Sequence, residues 1–234
     1  QGRDMLMNLK TTLKAYKSSG LSLSTGSVNE QDWANNWKKY FKPIEIGKRL
    51  AICPEWETYV NPQRKILKID PGSAFGTGDH ATTRLCLEFL DQLIKGGEKV
   101  LDVGTGSGIL SAAAVKLGAE SAFGTDIDEN SVNIARATAK LNNLNNCSFM
   151  QNNLAAGLTG QYDIICANIV ADIIIRLAPD IPALLAPNGT FISSGIIDER
   201  LPEVEQQLNN LGFSIKDIRT SDGWAAIMAQ IPSV

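Results

Sequence analysis

The sequence predicts an α/β fold, a mostly parallel, doubly wound sheet that ends in an antiparallel hairpin. Three observations carry this expectation. From residue 65 onward, short apolar runs alternate with stretches of helical period, the pattern of parallel strands joined by helical crossovers. One apolar run, Val100 to Val103, passes directly into the alternating glycines Gly104, Gly106 and Gly108 and then into a helix-forming stretch. At the end, Phe213 to Thr220 and Trp224 to Gln230 flank Ser221-Asp222-Gly223, which reads as a hairpin.

The elements follow in order. Lys65 to Ile69 reads as a strand, Asp70 to Ala81 as a loop, and Thr83 to Ile94 as a helix. Lys99 to Val103 is a buried strand, Ile109 to Leu117 a helix and Ser121 to Thr125 a strand. Asn130 to Asn142 is a helix capped by Asp128. Strands continue at Cys147 to Met150 and Tyr162 to Ala167. The helical stretch Ala171 to Leu185 contains Pro179 and Pro182, which kink or divide it. Pro187-Asn188-Gly189 then turns the chain into the strand Thr190 to Ser194, and Glu199 to Leu211 is a last helix stopped by Gly212.

Composition shifts near residue 60. Before it lie Trp33, Trp37 and Trp56, an amphipathic stripe of Leu6, Leu9, Leu13 and Tyr16, and a Ser/Gly-rich connection from Ser18 to Ser27. A helix from Asn29 to the residue before Pro43 would carry Trp33, Trp37 and Phe41 on one face, either as core or as a docking surface. The expected organisation is therefore 1–60 as a helical and linker segment and 61–234 as the main domain.

The chain has 234 residues, 44% hydrophobic and 20% charged, with a net charge of −3, which is the composition of a globular protein. Interspersed charges give no broad positive field, so no direct nucleic-acid binding is expected, and only a local basic patch is left open. The richest apolar stretch, Ile164 to Ile175, is interrupted by Asn168 and Asp172 and falls short of the roughly 18 residues a membrane span needs. Cys53, Cys86, Cys147 and Cys166 lie far apart with no metal-ligand spacing, as expected of reduced core thiols in the cytoplasm. The start at Gln1-Gly2, without an export signal, is read either as that of a fragment of a longer protein or as a tag remnant.

The glycine loop suits a ligand because a side chain there would keep it from the backbone, and ligands of open α/β sheets lie beyond the carboxyl ends of the strands. Asp126 ends the next strand, about twenty residues on, where a carboxylate can accept both ribose hydroxyls of an adenosine moiety. The dinucleotide fingerprint requires glycine where Ile109 stands, which counts against a nicotinamide cofactor. S-adenosylmethionine has no phosphate and does not require that pattern.

Four stretches, D-P-G-S-A-F-G-T-G-D-H-A-T-T (Asp70 to Thr83), D-V-G-T-G-S-G (Asp102 to Gly108), G-T-D-I-D (Gly124 to Asp128) and A-N-I-V-A (Ala167 to Ala171), resemble the PrmA-type ribosomal protein methyltransferases over roughly residues 29 to 230. The resemblance implies a class I S-adenosylmethionine-dependent methyltransferase fold, with a seven-stranded sheet whose final strand is antiparallel. It implies transfer of methyl groups to amino groups, on lysine side chains or the α-amine, of a large-subunit ribosomal protein. It also implies a small N-terminal recognition domain, of which the segment before residue 29 is too short to be the whole. Alternatives are another protein or small-molecule acceptor, or a cofactor-binding fragment without activity.

By the same resemblance, Thr83, Gly104, Gly106, Asp126 and Asn168 contact the cofactor, and Phe75 covers it from a mobile loop. Asn168 is the expected catalytic residue. At the end of its strand its amide oxygen can accept a hydrogen bond from an amine and aim the lone pair, or it can simply cap the following helix. Thr83 has the same alternative of a helix cap. His80, the sole histidine, is either a base or a hydrogen-bonding group of its loop. Such chemistry needs positioning and an apolar surround, and no metal.

Overall fold

The computed structural model describes residues 38, 41–71 and 80–232. The chain divides between Tyr40 and Phe41, and the fold below is that of the second unit. The expected elements at Leu6 to Tyr16 and Asn29 onward, and the loop bearing Phe75, lie outside the described residues.

The unit opens with two strands that the hydrophobic pattern did not announce, β1 (Ile44–Ile46) and β2 (Leu50–Pro54), followed by the expected β3 (Lys65–Ile69). β1 pairs antiparallel and β3 parallel with β2, giving a three-stranded sheet. A boundary at residues 60 and 61 would cut this sheet, so the compositional shift there marks a loop between paired strands and not a domain border. The unit instead begins at Phe41.

Next come α1 (Ala81–Leu93), β4 (Lys99–Val103), α2 (Ile109–Leu117), β5 (Ser121–Asp126), α3 (Glu129–Leu141), β6 (Cys147–Gln151) and β7 (Tyr162–Asn168). Asp128 caps α3 as expected, accepting from the Asn130 and Ser131 N–H groups, each at 3.1 Å. The proline-bearing stretch is divided into α4 (Ala171–Leu177), a 3-10 turn (Ala178–Asp180) and α5 (Ile181–Leu184). Proline at the first turn of the last two pieces lacks the N–H that a continuous helix would use.

β8 (Leu185–Ile197) is longer than the expected strand, because pairing with β7 begins at Leu185 and resumes at Thr190. Pro187-Asn188-Gly189 therefore forms a bulge within a strand instead of preceding it. The final helix, α6 (Leu201–Asn210), starts later than expected: Asp198–Arg200 forms a 3-10 turn, and Pro202 fits the first α-helical turn. Gly212, at φ +83°, stops it, with the Phe213 N–H bonded to the Leu208 carbonyl. The hairpin of β9 (Ser214–Ser221) and β10 (Trp224–Gln230) turns on Asp222 and Gly223, both at positive φ.

The seven-stranded order is β6-β5-β4-β7-β8-β10-β9, parallel through β8 and antiparallel thereafter. Alternation along the strands feeds two cores. Val100, Ile164, Cys166 and Ile192 face the layer of α1, α2 and the small sheet, whereas Leu101, Ile165, Ala167 and Phe191 face α4 to α6. Asp91 ties the small sheet to α1 by accepting from the Lys48 N–H at 2.8 Å and the Arg49 N–H at 3.1 Å. The connection order reverses between β4 and β7, the place where open α/β sheets receive their ligands. No helix among the described residues is long and apolar enough to cross a membrane.

Candidate active site

β4 ends in a loop whose backbone only glycine adopts without strain: Gly104, Gly106 and Gly108 have φ of +74°, +53° and +76°. The loop is fastened to the neighbouring strand, because the Gly104 and Thr105 N–H groups both donate to the Thr125 carbonyl, at 2.8 and 2.9 Å. Asp126, half-exposed at the end of β5, accepts from the Gly106 N–H at 2.9 Å through one oxygen and from the Asp128 N–H at 3.0 Å through the other. Sequence spacing placed these two motifs near one another. The structure joins them by a direct bond.

Asn168 ends β7 on the other side of the loop. Its amide Nδ2 donates to Thr83 Oγ1 at 3.2 Å, which brings the first and last of the four motifs into contact. The N-cap of α4 is Val170, with no side-chain cap bond, so Asn168 is not the cap of that helix. Nor does Thr83 cap α1. His80 does so, accepting from the Thr82 N–H, and its ring meets Trp224 edge-on with centroids 5.2 Å apart. His80 is thus a hydrogen-bonding group where its loop joins α1. Gly104 and the segment after Asn168 touch: a Cβ on Gly104 would come within 2.5 Å of Ile169 Cγ2.

The fold adds what the sequence reading did not show: the partners of Asp102 and three exposed apolar side chains. Asp102 is fully buried, and its Oδ2 accepts from the Thr105 hydroxyl at 2.6 Å, the Ser111 hydroxyl at 2.8 Å and the Ser111 N–H at 3.2 Å. Its Oδ1 is buried without a hydrogen-bond partner. Ile127 and Met150 are 68% and 41% exposed beside Asp126, and Val170 is 59% exposed beside Asn168. Their signal in the sequence was an apolar residue within two positions of a polar strand end, which on its own is common.

Burial pushes the Asp102 carboxyl above the usual aspartate range, although its three donors act in the opposite direction. Folding therefore favours the protonated form. This contribution is complete below the unfolded value, about 3.9, and is lost as pH rises through the raised folded value. Urea unfolding of the wild type and Asp102→Asn across acidic pH should show the wild type losing stability relative to the variant in that window. A difference independent of pH would contradict the assignment.

The donor and acceptor set fits S-adenosylmethionine. The loop Gly104 to Gly108 has no lysine or arginine for a diphosphate, and the site instead offers acceptors, Asp126 and the Asn168 amide oxygen, to ribose hydroxyls and an ammonium. At Gly104 and Gly108 the missing Cβ makes room for Ile169 and Ala135, so these two glycines serve the close packing of the loop.

This fold and loop define a class I S-adenosylmethionine-dependent methyltransferase. A TehB-like methyltransferase of that kind from Corynebacterium glutamicum, 14% identical, shares the fold with a TM-score of 0.52 over 63% of this chain and 87% of its own. The profile of the ribosomal protein L11 methyltransferase (PrmA) family matches residues 2–232, and the chain belongs to that family. It is 44% identical over 231 residues to the ribosomal protein L11 methyltransferase of Caldanaerobacter subterraneus subsp. tengcongensis, covering 96% of this chain and 74% of the relative. The crystal structure of a ribosomal protein L11 methylase from Lactobacillus delbrueckii subsp. bulgaricus superimposes with a TM-score of 0.76 at 37% identity, over 81% of this chain and 98% of that one.

Proposed function

We propose that this chain transfers methyl groups from S-adenosylmethionine to amino groups of ribosomal protein L11. The observation that carries the reading is the Asn168–Thr83 contact beside the glycine loop, within a chain of the L11 methyltransferase family. When bound, the cofactor supplies an electrophilic methyl group on a sulfonium. Gly104 and Gly106 would meet it through their backbone, Asp126 would accept from its ribose hydroxyls, and Asn168, held by Thr83, would border its methionine end. Ile127 and Met150, both exposed near the end of β5, would offer apolar surface to the base.

The acceptor must arrive as a neutral amine, and a free lysine, with a pKa near 10.4, is mostly charged at neutral pH. Asn168 meets this need without a charge. With Nδ2 engaged by Thr83, Oδ1 is turned to accept an amine N–H, which aims the lone pair. A neutral amide does not favour the ammonium form as a carboxylate would. The exposed Val170 adds apolar surface beside the acceptor, where desolvation assists proton loss to water.

The residues ahead of Phe41 belong, in this reading, to a substrate-recognition domain. A cytoplasmic location is supported by the four free cysteines, of which Cys86 is fully buried with its thiol pushed up to about 12.

Asp126→Ala should weaken S-adenosylmethionine binding by about 1.5 to 3 kcal/mol, the range for charge-assisted hydrogen bonds. Calorimetry on the folded variant checks it, and unchanged affinity would remove Asp126 from the site. The function itself is tested by transfer of labelled methyl groups to purified L11, compared with an unrelated lysine-rich protein. Label should appear in L11 and not in the control.

A further inference from the structure

Ser194 stands opposite Asn168 in the β7–β8 register and is completely buried. Its carbonyl accepts from the Ile169 N–H at 3.0 Å, which fixes the backbone directly after Asn168. Its hydroxyl lies 3.2 Å from the Thr82 carbonyl, in the first turn of α1, and 3.2 Å from the Ala225 carbonyl on β10. Thr82 precedes Thr83, whose Oγ1 receives the Asn168 amide. These contacts close a ring. Asn168 is held at its backbone by its pairing with β8 and at its side-chain tip by Thr83, and the Ser194 hydroxyl links those two supports.

The ring is dry, since Thr82, Thr83 and Ser194 are 2%, 0% and 0% exposed. A buried hydroxyl needs a partner, and Ala225 alone would satisfy it. With one proton to donate, the hydroxyl shares it between the Ala225 and Thr82 carbonyls, and the share toward Thr82 links the sheet to the helix that carries Thr83. A small shift of that first turn would free Asn168 Nδ2, and the amide could then rotate. Misplacement of a reacting group by about 1 Å can lower a rate on the order of 10²-fold.

We propose that Ser194 is a positioning residue for methyl transfer, its hydroxyl fixing the first turn of α1 so that Thr83 holds the Asn168 amide with Oδ1 toward the acceptor. The inference rests on the role given to Asn168 above.

The test is a double-mutant cycle of Ser194→Ala and Asn168→Ala in the whole chain, read by single-turnover transfer to L11 at saturating S-adenosylmethionine. Ser194→Ala alone should slow transfer by about tenfold to 10²-fold, with KM for L11 and cofactor affinity changing by smaller factors. In the Asn168→Ala background, the same substitution should change the rate less than about twofold. Ser194→Cys, similar in size with a weaker donor, should fall between the wild type and Ser194→Ala. It replaces Ser194→Ala in the cycle if the alanine variant does not fold. A wild-type rate in Ser194→Ala, or an equal loss in both backgrounds, would overturn the inference. Absence of transfer by the wild type would overturn the functional reading itself, whereas wild-type transfer with no effect at Ser194 removes this inference alone.

Discussion

Asn168→Ala should slow methyl transfer to L11 by about 10²-fold or more while cofactor affinity falls by no more than about tenfold. The asymmetry follows from what the side chain does. In the proposed reading, cofactor contacts are spread over the glycine loop and Asp126, so removing one amide would leave most of the binding intact. In the same reading, the aim of the incoming amine rests on Asn168 Oδ1, the amide atom left over once Nδ2 donates to Thr83 at 3.2 Å. Asn168→Asp should fare poorly despite its similar shape, because a carboxylate stabilises the ammonium form of the acceptor. It should show an apparent pKa for transfer above that of the wild type. Single-turnover rates at saturating cofactor across a pH series check both statements. A wild-type rate in Asn168→Ala would leave that residue a structural role only.

Gly195→Ala should destabilise the fold by about 2 to 4 kcal/mol, combining the strain of a positive φ with that of an overpacked contact. Gly195 has φ +87°, and a Cβ there would lie 2.8 Å from the carbonyl carbon of Ile169 and 3.1 Å from its nitrogen. These are backbone atoms, which cannot swing aside as a side chain can. The displaced residue directly follows Asn168, so transfer should fall as well. A lower urea midpoint at unchanged slope, together with slower transfer by the folded fraction, is the expected pattern. Wild-type stability would mean that the β8 edge adapts without moving Ile169.

Much of this was legible in the sequence, for identifiable reasons. Short apolar runs placed the central strands, Asp128 and Gly212 set helix ends, and Asp222-Gly223 set the hairpin, since each is a local rule that tertiary packing did not override. β1 and β2 were missed because one is three residues long and the other is buried along its whole length, so neither shows alternation. The late start of α6 came from Pro202, whose preference for the first turn outweighed the helical period before it.

At the site, the glycine loop and Asp126 were visible as motifs. The partnership of Asn168 with Thr83 was not, because the two lie 85 residues apart and only the β7–α1 juxtaposition joins them. Ser194 and Gly195 meet the first turn of α1 and the backbone at Ile169, and a serine and a glycine within a strand carry no distinguishing pattern in sequence. Asp102 was visible beside the loop, but its buried oxygen and its Thr105 and Ser111 donors required the folded chain.

The most direct test of the account is mass spectrometry of L11 after incubation with this chain and S-adenosylmethionine, alongside the Asn168→Ala variant. The account predicts whole methyl increments on L11 amino groups with the wild type and almost none with Asn168→Ala at equal time and equal cofactor occupancy. Unmodified L11 with cofactor-saturated wild type, or equal methylation by both proteins, would contradict it.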